Sequence, residues 1–170
     1  LEVIYKLISS IINARLQNAI EFDDAVHGFR PKRGTGTAIM EAKMLMQLHY
    51  RLDVPLFMIF IDLKKAYDTL DRTQAERILK KYGVGPNVIR FIKLIWEGDT
   101  MVPRQSGYFG RQFRASRGVR QGDISSPVIF NIMVDAVLRY HKQKLHRTGE
   151  KVDPIFYADD GLLAGTDEIL

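Results

Sequence analysis

The sequence contains no cysteine, which excludes disulfide bonds and cysteine-ligated metal sites. No signal peptide is recognisable in these residues, and no apolar run approaches the roughly 18 residues that a membrane-spanning helix needs. We therefore expect no membrane partner. Internal repeats, low-complexity tracts and linkers are also absent, which predicts one domain with two lobes. The chain begins at Leu1 rather than Met and stops within a pattern at Leu170, as a fragment of a longer protein would.

The composition is that of a folded, basic protein. Its 170 residues are 46% hydrophobic, which is enough for a compact domain with a real core. The formal net charge is +5 and the pI is near 9.5. A charge of this sign indicates a polyanionic partner, although basic globular proteins without such a partner are common.

Apolar residues that recur at helical spacing predict five helices. Asp68 or Asp71 is suited to cap the third helix, and Pro86 suits the first turn of the fourth. The apolar residues of the fourth helix are expected to be mostly buried, namely Ile89, Ile92, Leu94 and Ile95. The predicted helices cover about residues 1–19, 37–48, 72–81, 86–96 and 126–145.

Two predicted strand elements carry carboxylates at their ends. Residues 154–164 predict two short apolar strands joined by a tight turn with Asp159 and Asp160, and the apolar run 56–61 ends on Asp62. Carboxylates beside apolar strands lose solvation, so they are usually paired, protonated or bound to a cation. Asp and Gly are also ordinary turn residues, and that alternative stays open for each turn alone. Together the three acids indicate one shared Mg²⁺ site for displacement at phosphorus.

One stretch is rich in arginine and lacks acidic residues. We expect two antiparallel strands there, at residues 101–105 and 112–117. No Asp or Glu occurs between Met101 and Arg120, which fits a surface that follows a phosphate backbone. A solvated hairpin face is the alternative. The arginines are Arg104, Arg111, Arg114, Arg117 and Arg120.

A second basic cluster lies in the loop at residues 23–37, where glycines and a proline prevent a regular helix. The cluster consists of Arg30, Lys32 and Arg33. Taken alone, this loop is most simply a solvated turn. Contact with a phosphate is the alternative interpretation.

Four blocks follow one another along the sequence: HGFRPKRGT at 27–35, FIDLKKAYD at 60–68, RGVRQGDISSP at 117–127 and FYADD at 156–160. The Ala-Asp-Asp triplet alone is a weak signal, but the four blocks in this order are highly specific. With them, the chain resembles a reverse transcriptase over nearly its whole length.

Within that family the non-LTR (LINE-like) retrotransposon enzymes are the most similar branch, through DLKKAYD at 62–68, RQGD at 120–123 and FNIMVD at 130–135. Group II intron proteins come second, because they usually carry a Pro-Gln-Gly-Gly type block where this chain has Arg-Gln-Gly-Asp at 120–123. Viral RNA-dependent RNA polymerases usually have Gly before the paired aspartates, where this chain has Ala158.

The resemblance implies an α+β fold, the fingers and palm of a right-hand polymerase, with an antiparallel palm sheet packed on helices and the thumb absent. The whole chain, residues 1–170, would be a partial reverse transcriptase domain. Fingers are expected mainly at about 1–55. The palm is expected at about 56–170, with a fingers-like insertion near 75–117.

The same resemblance implies a catalytic and metal-binding set of Asp62, Asp159 and Asp160. Asp62 and Asp159 would bind two Mg²⁺ ions, for which Mn²⁺ can substitute, and Asp160 would complete the acidic cluster. Three other aspartates are left outside the site: Asp68, Asp123 and Asp135.

The implied nucleotide-binding residues combine basic side chains, backbone N–H groups around residues 63–66 and an aromatic gate. The ring of Tyr67 would clash with a ribose 2′-hydroxyl and so favour dNTPs, although it could simply fill core space. Gln121 and Gly122 would lie against the incoming nucleotide and template. The full set is Arg30, Arg33, Lys65, Ala66, Tyr67, Gln121 and Gly122.

The implied function is that of an RNA-directed DNA polymerase of a retroelement, with an RNA template, a DNA primer and dNTPs as partners. Arg104, Arg114 and Arg117 would contact nucleic acid. Action in the nucleus is expected if the element is LINE-like and its host eukaryotic. The alternative is a non-catalytic nucleic-acid-binding remnant or domesticated scaffold with the same fold.

Overall fold

The fold mixes helices with antiparallel strands, which confirms the expected α+β class. A computed structural model describes residues 3–148 and 152–166. Among these described residues, no helix is both long and apolar enough to cross a membrane. In chain order the elements are α1 (Val3–Ala19), α2 (Thr35–Leu52), β1 (Phe57–Asp62), α3 (Ala66–Thr69), α4 (Arg72–Lys81), α5 (Pro86–Glu97), β2 (Thr100–Met101), β3 (Arg104–Gln105), β4 (Tyr108–Phe109), β5 (Phe113–Arg114), α6 (Ser126–Thr148), β6 (Val152–Tyr157) and β7 (Asp160–Gly165).

The chain divides into two compact units. The first unit comprises Leu1–Ala19 and Lys65–Ser126, and the second comprises Ile20–Lys64 and Pro127–Leu170. Full burial of an aliphatic side chain contributes about 1.5–3 kcal/mol to the free energy of unfolding. Among the most deeply buried apolar side chains are Leu16, Leu79 and Ile92 in the first unit and Val26, Val128 and Ile132 in the second.

The ends of the predicted helices follow from local hydrogen bonding. Asp71 precedes α4, and its Oδ1 accepts hydrogen bonds from the backbone N–H groups of Thr73 and Gln74 at 2.8 and 3.0 Å. These bonds lower the pKa of Asp71 because they favour the ionised carboxylate. Pro86 is the first residue of α5, where a missing N–H leaves no helical hydrogen bond unmade.

A three-stranded antiparallel sheet in the second unit carries the predicted acids. Its strand order is β1-β7-β6. β1 pairs with β7 so that Asp62 lies opposite Asp160. β6 and β7 form a hairpin whose two-residue loop is 158–159. The apolar strands and the tight turn expected from the sequence are therefore present.

The arginine-rich stretch differs from its prediction. It forms four two-residue strands in two ladders rather than two longer strands, with β2 paired to β5 and β3 paired to β4. Pro103 interrupts the first of the predicted strands, because proline cannot donate a ladder hydrogen bond. The carbonyl of Pro103 accepts a hydrogen bond from Gly110 N–H at 2.8 Å, which joins the two ladders.

Burial also differs from expectation in two helices. Leu94 of α5 is 53% exposed, whereas Ile89 and Ile92 of the same helix are buried as predicted. α2 has no buried residue at all, although apolar side chains recur along it. Helical periodicity identified these helices correctly, but it does not show whether an apolar face is covered.

Candidate active site

The three predicted acids lie at one end of the β1-β7-β6 sheet. Asp62 is the last residue of β1, and Asp160, its direct partner in the antiparallel register, is the first residue of β7. Asp159 lies in the preceding loop, and its carbonyl accepts a hydrogen bond from Leu63 N–H at 3.1 Å. Directly opposed residues have Cα atoms about 4.5–5.5 Å apart. The sheet therefore gathers all three predicted acids within the second unit.

The environment of these acids suits a hydrated divalent cation. Asp62 and Asp160 are exposed and Asp159 is half-buried. Carboxylates directly opposite each other across a strand pair repel, and a cation between them removes that repulsion. Within residues 3–148 and 152–166, no three or more acidic or histidine side chains, these three included, are arranged so that they could hold a metal ion together. Mg²⁺ is usually held by only one or two carboxylates, with waters and substrate phosphates.

The loop at residues 23–37, predicted as a basic loop and as one of the four family blocks, supports the acidic turn. Phe156 of β6 donates its N–H to Ala25 O and accepts His27 N–H at its carbonyl, both at 2.7 Å. A Cβ added to Gly28 would lie 2.7 Å from the backbone nitrogen of Ala158. No side chain fits there unless the turn moves. Ala158 itself has a φ of +55°, which residues other than glycine seldom adopt.

Two buried side chains hold this segment in place. Asn131 of α6 is 1% exposed and donates from Nδ2 to Gly28 O at 2.5 Å. His27 Nδ1 lies 3.0 Å from Thr37 Oγ1, and its Nε2 lies 2.9 Å from Glu41 Oε2. Burial lowers the pKa of His27, although the charge of Glu41 opposes that shift. The segment beside the acidic turn is thereby attached to both α6 and α2.

In the first unit, the segment that contains Tyr67 contacts the loop that leads to Gln121. Tyr67 lies in α3, and its carbonyl accepts Val119 N–H at 2.8 Å. Gly118 N–H donates to Leu70 O at 2.8 Å. Gly118 has a φ of +80°, and a Cβ there would lie 2.7 Å from Tyr67 O. The loop that leads to Gln121 therefore packs on the backbone of α3 at a position where only glycine fits.

Asp123 anchors the loop that carries Gln121 and Gly122. Its carboxylate is 7% exposed and accepts a hydrogen bond from Ser125 Oγ at 2.7 Å and another from the hydroxyl of Ser9 in α1. Ser9 Oγ in turn accepts Ser125 N–H at 3.0 Å. Gly122 has a φ of +85°, so the loop turns sharply just before its anchor. The role of Gln121 and Gly122 as nucleotide contacts stays a prediction.

Arg120 belongs to a buried network rather than to the arginine-rich surface. Its Nε donates to Asp99 Oδ1 at 2.6 Å, and its guanidinium covers the ring of Tyr5 at 5.4 Å. Asp99 is 2% exposed and also pairs with Arg72 at 2.5 Å. Arg72 Nε donates to Gly118 O at 2.8 Å. Burial, with the charge of a nearby carboxylate, raises the pKa of Tyr5 to about 12.

Sequence reasoning missed this network. The available signal was Asp99, the last acid before the long acid-free stretch. A carboxylate next to so many arginines is a natural partner for one of them, because burial of an unpaired charge is costly. Its position in sequence could not identify Arg72 and Arg120 as its partners, because neither is close to it along the chain.

The two arginines predicted to bind the nucleotide, Arg30 and Arg33, are engaged by their own loop. Arg30 Nη1 donates to Asp23 O at 2.7 Å and to Val26 O at 2.8 Å. Arg33 pairs with Asp24 at 2.5 Å. Contact with a triphosphate requires these guanidiniums to share or leave their present partners. Their nucleotide-binding role stays a prediction.

Lys65 and Ala66 mark the beginning of α3. Lys65 is exposed and has a φ of +53°, and its carbonyl accepts Asp68 N–H at 2.9 Å. Ala66 is buried. One of the backbone groups expected to face phosphates, Leu63 N–H, instead donates to Asp159 O.

The predicted nucleic-acid contacts are on the surface. Arg104, Arg114 and Arg117 are all exposed. The Cζ atom of Arg104 lies 5.4 Å from the centroid of the Phe109 ring. These positions leave the guanidiniums accessible to solvent, and their contact with nucleic acid stays a prediction.

Comparison with known proteins defines the class of this chain. A model of the family described as reverse transcriptase (RNA-dependent DNA polymerase) matches residues 1–168. The chain therefore belongs to the reverse transcriptase family. Members of this family generally use divalent metal ions, and the carboxylates at the end of the sheet fit such ions.

Several retrotransposon proteins are similar to the chain. The Retrovirus-related Pol polyprotein from type-2 retrotransposable element R2DM of Drosophila melanogaster is 26% identical over 137 residues, which cover 81% of this chain and 13% of that protein. The Pol polyprotein from type-1 element R2 of Popillia japonica is 26% identical over 172 residues, covering 97% of this chain and 24% of that protein. The expected similarity to non-LTR enzymes is confirmed. The chain spans a quarter or less of the length of these relatives.

Solved telomerase structures share the fold. Telomerase from Candida albicans, in complex with a fragment of telomeric RNA, superposes with a TM-score of 0.70 at 15% identity, covering 95% of this chain and 30% of that one. Apo telomerase from Candida tropicalis, truncated from its C-terminal domain, gives 0.68 at 16% identity, covering 96% and 35%. At such identities the likeness concerns the fold alone. That fold is the fingers and palm fold expected from the sequence.

Proposed function

We propose that the protein containing this chain is an RNA-directed DNA polymerase of a retroelement. It would extend a DNA primer along an RNA template, with dNTPs as substrates. In each step the primer O3′ forms a bond to the α-phosphorus of the dNTP, the bond from that phosphorus to the leaving oxygen breaks, and pyrophosphate departs. The observation that carries this proposal is the antiparallel register that places Asp62 opposite Asp160, beside Asp159, in a member of the reverse transcriptase family.

Asp62 and Asp159 would hold two Mg²⁺ ions, and Asp160 would complete the acidic cluster. When bound, such ions favour ionisation of the attacking hydroxyl and neutralise charge on the leaving pyrophosphate. The carboxylates require no proton transfer of their own, because positioning and charge neutralisation supply most of the rate. Exposure of Asp62 and Asp160 leaves room for substrate phosphates on the same ions.

Selection of the nucleotide would depend on Tyr67 and Gln121. Its support is the pair of backbone hydrogen bonds that join the segment of Tyr67 and Leu70 to Gly118 and Val119, at 2.8 Å each. These bonds hold Tyr67 and the loop of Gln121 in one rigid arrangement. The ring of Tyr67 would then exclude a 2′-hydroxyl while Gln121 lies against the base pair being formed.

The test is primer extension on an RNA template by the full-length protein, with dNTPs and Mg²⁺ and at matched template occupancy. Asp159→Ala should reduce the extension rate on the order of 10³-fold or more, because it removes a charge worth several kcal/mol to the transition state. Template binding should stay nearly intact. Asp153→Ala is the matched control, since Asp153 is an exposed aspartate at the other end of the same hairpin.

A loss of template binding equal to the loss of activity would show that Asp159 supports the structure rather than catalysis. Tight RNA binding without extension, by both the variant and the unmodified protein, would favour the non-catalytic scaffold. Equal losses in Asp159→Ala and Asp153→Ala would contradict the placement of the site at the loop end of the hairpin.

A further inference from the structure

The hairpin from Thr100 to Arg114, here called the aromatic hairpin, is exposed along nearly its whole length. Every residue from Met101 to Arg114 is exposed. Tyr108 is 82% exposed and Phe109 is 71% exposed. Single exposed apolar side chains are common, whereas groups of exposed apolar and aromatic side chains mark binding surfaces. The hairpin therefore offers rings that the described part of the chain does not cover.

The backbone of the aromatic hairpin holds its rings in defined directions. Ser106 and Gly107 form the turn, and their φ values of +48° and +87° match the two-residue turns that fit the twist of paired strands. In the register, Arg104 lies opposite Phe109 and Gln105 opposite Tyr108. Adjacent residues on a strand project to opposite faces. Phe109 therefore shares one face with Arg104, and Tyr108 projects from the other.

The charge of the aromatic hairpin has one sign. No acidic residue occurs from Thr100 to Gly122. Among the described residues, no carboxylate forms an ion pair with Arg104, Arg111 or Arg114. Guanidinium groups bind phosphate oxygens through parallel hydrogen bonds and also stack on planar rings. The ligand that suits this surface carries regularly spaced negative charges.

The combination of exposed rings and arginines in the aromatic hairpin favours one kind of polyanion over others. The flat faces of nucleobases are accessible to a protein ring only where the bases are unpaired, because a duplex buries them. Sites for single strands combine a basic surface with aromatic side chains on which bases stack. A duplex would use the arginines but leave Tyr108 and Phe109 in water. The observations therefore favour a single strand over a duplex.

We propose that the aromatic hairpin binds the unpaired part of the RNA template. One base stacks on Tyr108 at one face of the hairpin, another stacks on Phe109 at the opposite face, and Arg104, Arg111 and Arg114 contact phosphates of the strand. Identification of the strand as a template depends on the proposed polymerase function. The stacking site itself depends only on the exposure, register and charge of the hairpin.

The test is equilibrium binding of a single-stranded RNA of mixed sequence to the full-length protein, without nucleotides, by fluorescence anisotropy. Tyr108→Ala should weaken binding about 5- to 150-fold, the range for loss of one base stack. Tyr108→Trp should restore it, because tryptophan also presents a planar ring. Affinity for an RNA duplex of the same sequence should change little in either variant.

A matched control is Tyr50→Ala, since Tyr50 of α2 is 88% exposed but lies outside the hairpin. Its RNA affinity should equal that of the unmodified protein. Arg111→Gln should instead lower the salt dependence of binding to both RNAs by about one unit of slope. Circular dichroism of each variant checks the fold, which should not change because the hairpin contributes no buried residue.

Three results would overturn the proposal. One is unchanged affinity of Tyr108→Ala for single-stranded RNA, which would make the rings a contact for protein. Another is an equal loss for single-stranded and duplex RNA. The third is stronger binding of single-stranded DNA than of RNA, with the same response to Tyr108→Ala, which would assign the hairpin to a displaced strand. The binding experiment contains no nucleotide, so its result does not depend on whether the protein extends a primer. Primer extension tests the proposed polymerase function separately.

Discussion

A backbone hydrogen bond helps to position Tyr67. Its side chain is only half-buried, while its carbonyl accepts Val119 N–H at 2.8 Å. Half-burial leaves part of the side chain accessible to a ligand, and the role of Tyr67 as a gate stays a prediction.

Tyr67→Ala should make the enzyme less selective against ribonucleotides. Removal of the ring takes away the group predicted to clash with the 2′-hydroxyl, so the ratio of rNTP to dNTP incorporation should rise roughly 10- to 200-fold, the range for one changed group in a pocket. The measurement is single-nucleotide extension with each substrate, compared as kcat/KM. Tyr67→Phe keeps the ring and should keep the selectivity. An unchanged ratio in Tyr67→Ala would remove this residue from the gate.

Burial distinguishes the three predicted catalytic acids from two of the aspartates left outside the predicted site. The three predicted catalytic acids are exposed or half-buried, whereas Asp123 and Asp135 are 7% and 0% exposed. Asp135 accepts hydrogen bonds from Asp23 N–H and Arg139 Nε, each at 2.6 Å. Buried carboxylates need such partners because they have lost water. Their exclusion from the site on the basis of sequence alone is consistent with these structural contacts.

At the scale of elements, the acidic turn depends on a neighbour that is remote in sequence. The segment of Ala25 and His27 pairs with Phe156 at the free edge of β6, and Gly28 then meets the turn at Ala158. α6 contributes through the hydrogen bond from Asn131 to Gly28 O. A turn with a left-handed residue such as Ala158 costs free energy unless its surroundings hold it. These contacts supply that support.

Gly28→Ala should impair catalysis by displacing the turn. The added Cβ would lie 2.7 Å from Ala158 N, so the backbone that leads into Asp159 has to move. A displacement near 1 Å at reacting groups can cost about 10²-fold, and we expect extension to fall about 10- to 100-fold at saturating dNTP. The measurement is kcat for primer extension, made well below the thermal midpoint of the variant.

Gly36→Ala is the control for this change. Gly36 lies in α2 and has no atom within 4 Å of an added Cβ, so alanine there should leave extension unchanged and stabilise the helix by about 0.5–1 kcal/mol. Wild-type kcat in Gly28→Ala would show that the turn tolerates the contact. A lower thermal midpoint without a lower kcat would assign Gly28 to stability alone.

At the scale of the whole molecule, α2 leaves an apolar face exposed in the described part of the chain. Met40, Met44 and Leu48 recur every four residues along one face of α2 and are 63%, 59% and 51% exposed. Continuous apolar faces of this kind promote association. The chain also spans a quarter or less of the length of its retrotransposon relatives.

The 170-residue chain should therefore self-associate in solution through the face of α2. Leu48→Lys should raise the monomeric fraction at micromolar concentration, because it places a charge within the apolar face. Gln47→Lys adds the same charge at the adjacent exposed position and should have a smaller effect. Sedimentation velocity measures both. Equal monomeric fractions in the two variants would attribute any gain to net charge rather than to the apolar face.

The sequence by itself predicted most of the elements and placed three acids at strand ends. Helical periodicity located α1, α4, α5 and α6, and Asp71 and Pro86 marked two helix starts, because capping and spacing are local properties of the chain. The acids Asp62, Asp159 and Asp160 were recognisable because each follows or interrupts an apolar strand. These features need no knowledge of distant contacts.

Only the tertiary structure decided how those elements meet. Strand register places Asp62 opposite Asp160, and close approach requires glycine at positions 28 and 118. Asp99 pairs with Arg72 and Arg120, each of which is more than twenty residues away along the chain. Such contacts depend on the packing of segments far apart in sequence, where periodicity carries no information. For the same reason, the apolar face of α2 could be predicted but its exposure could not.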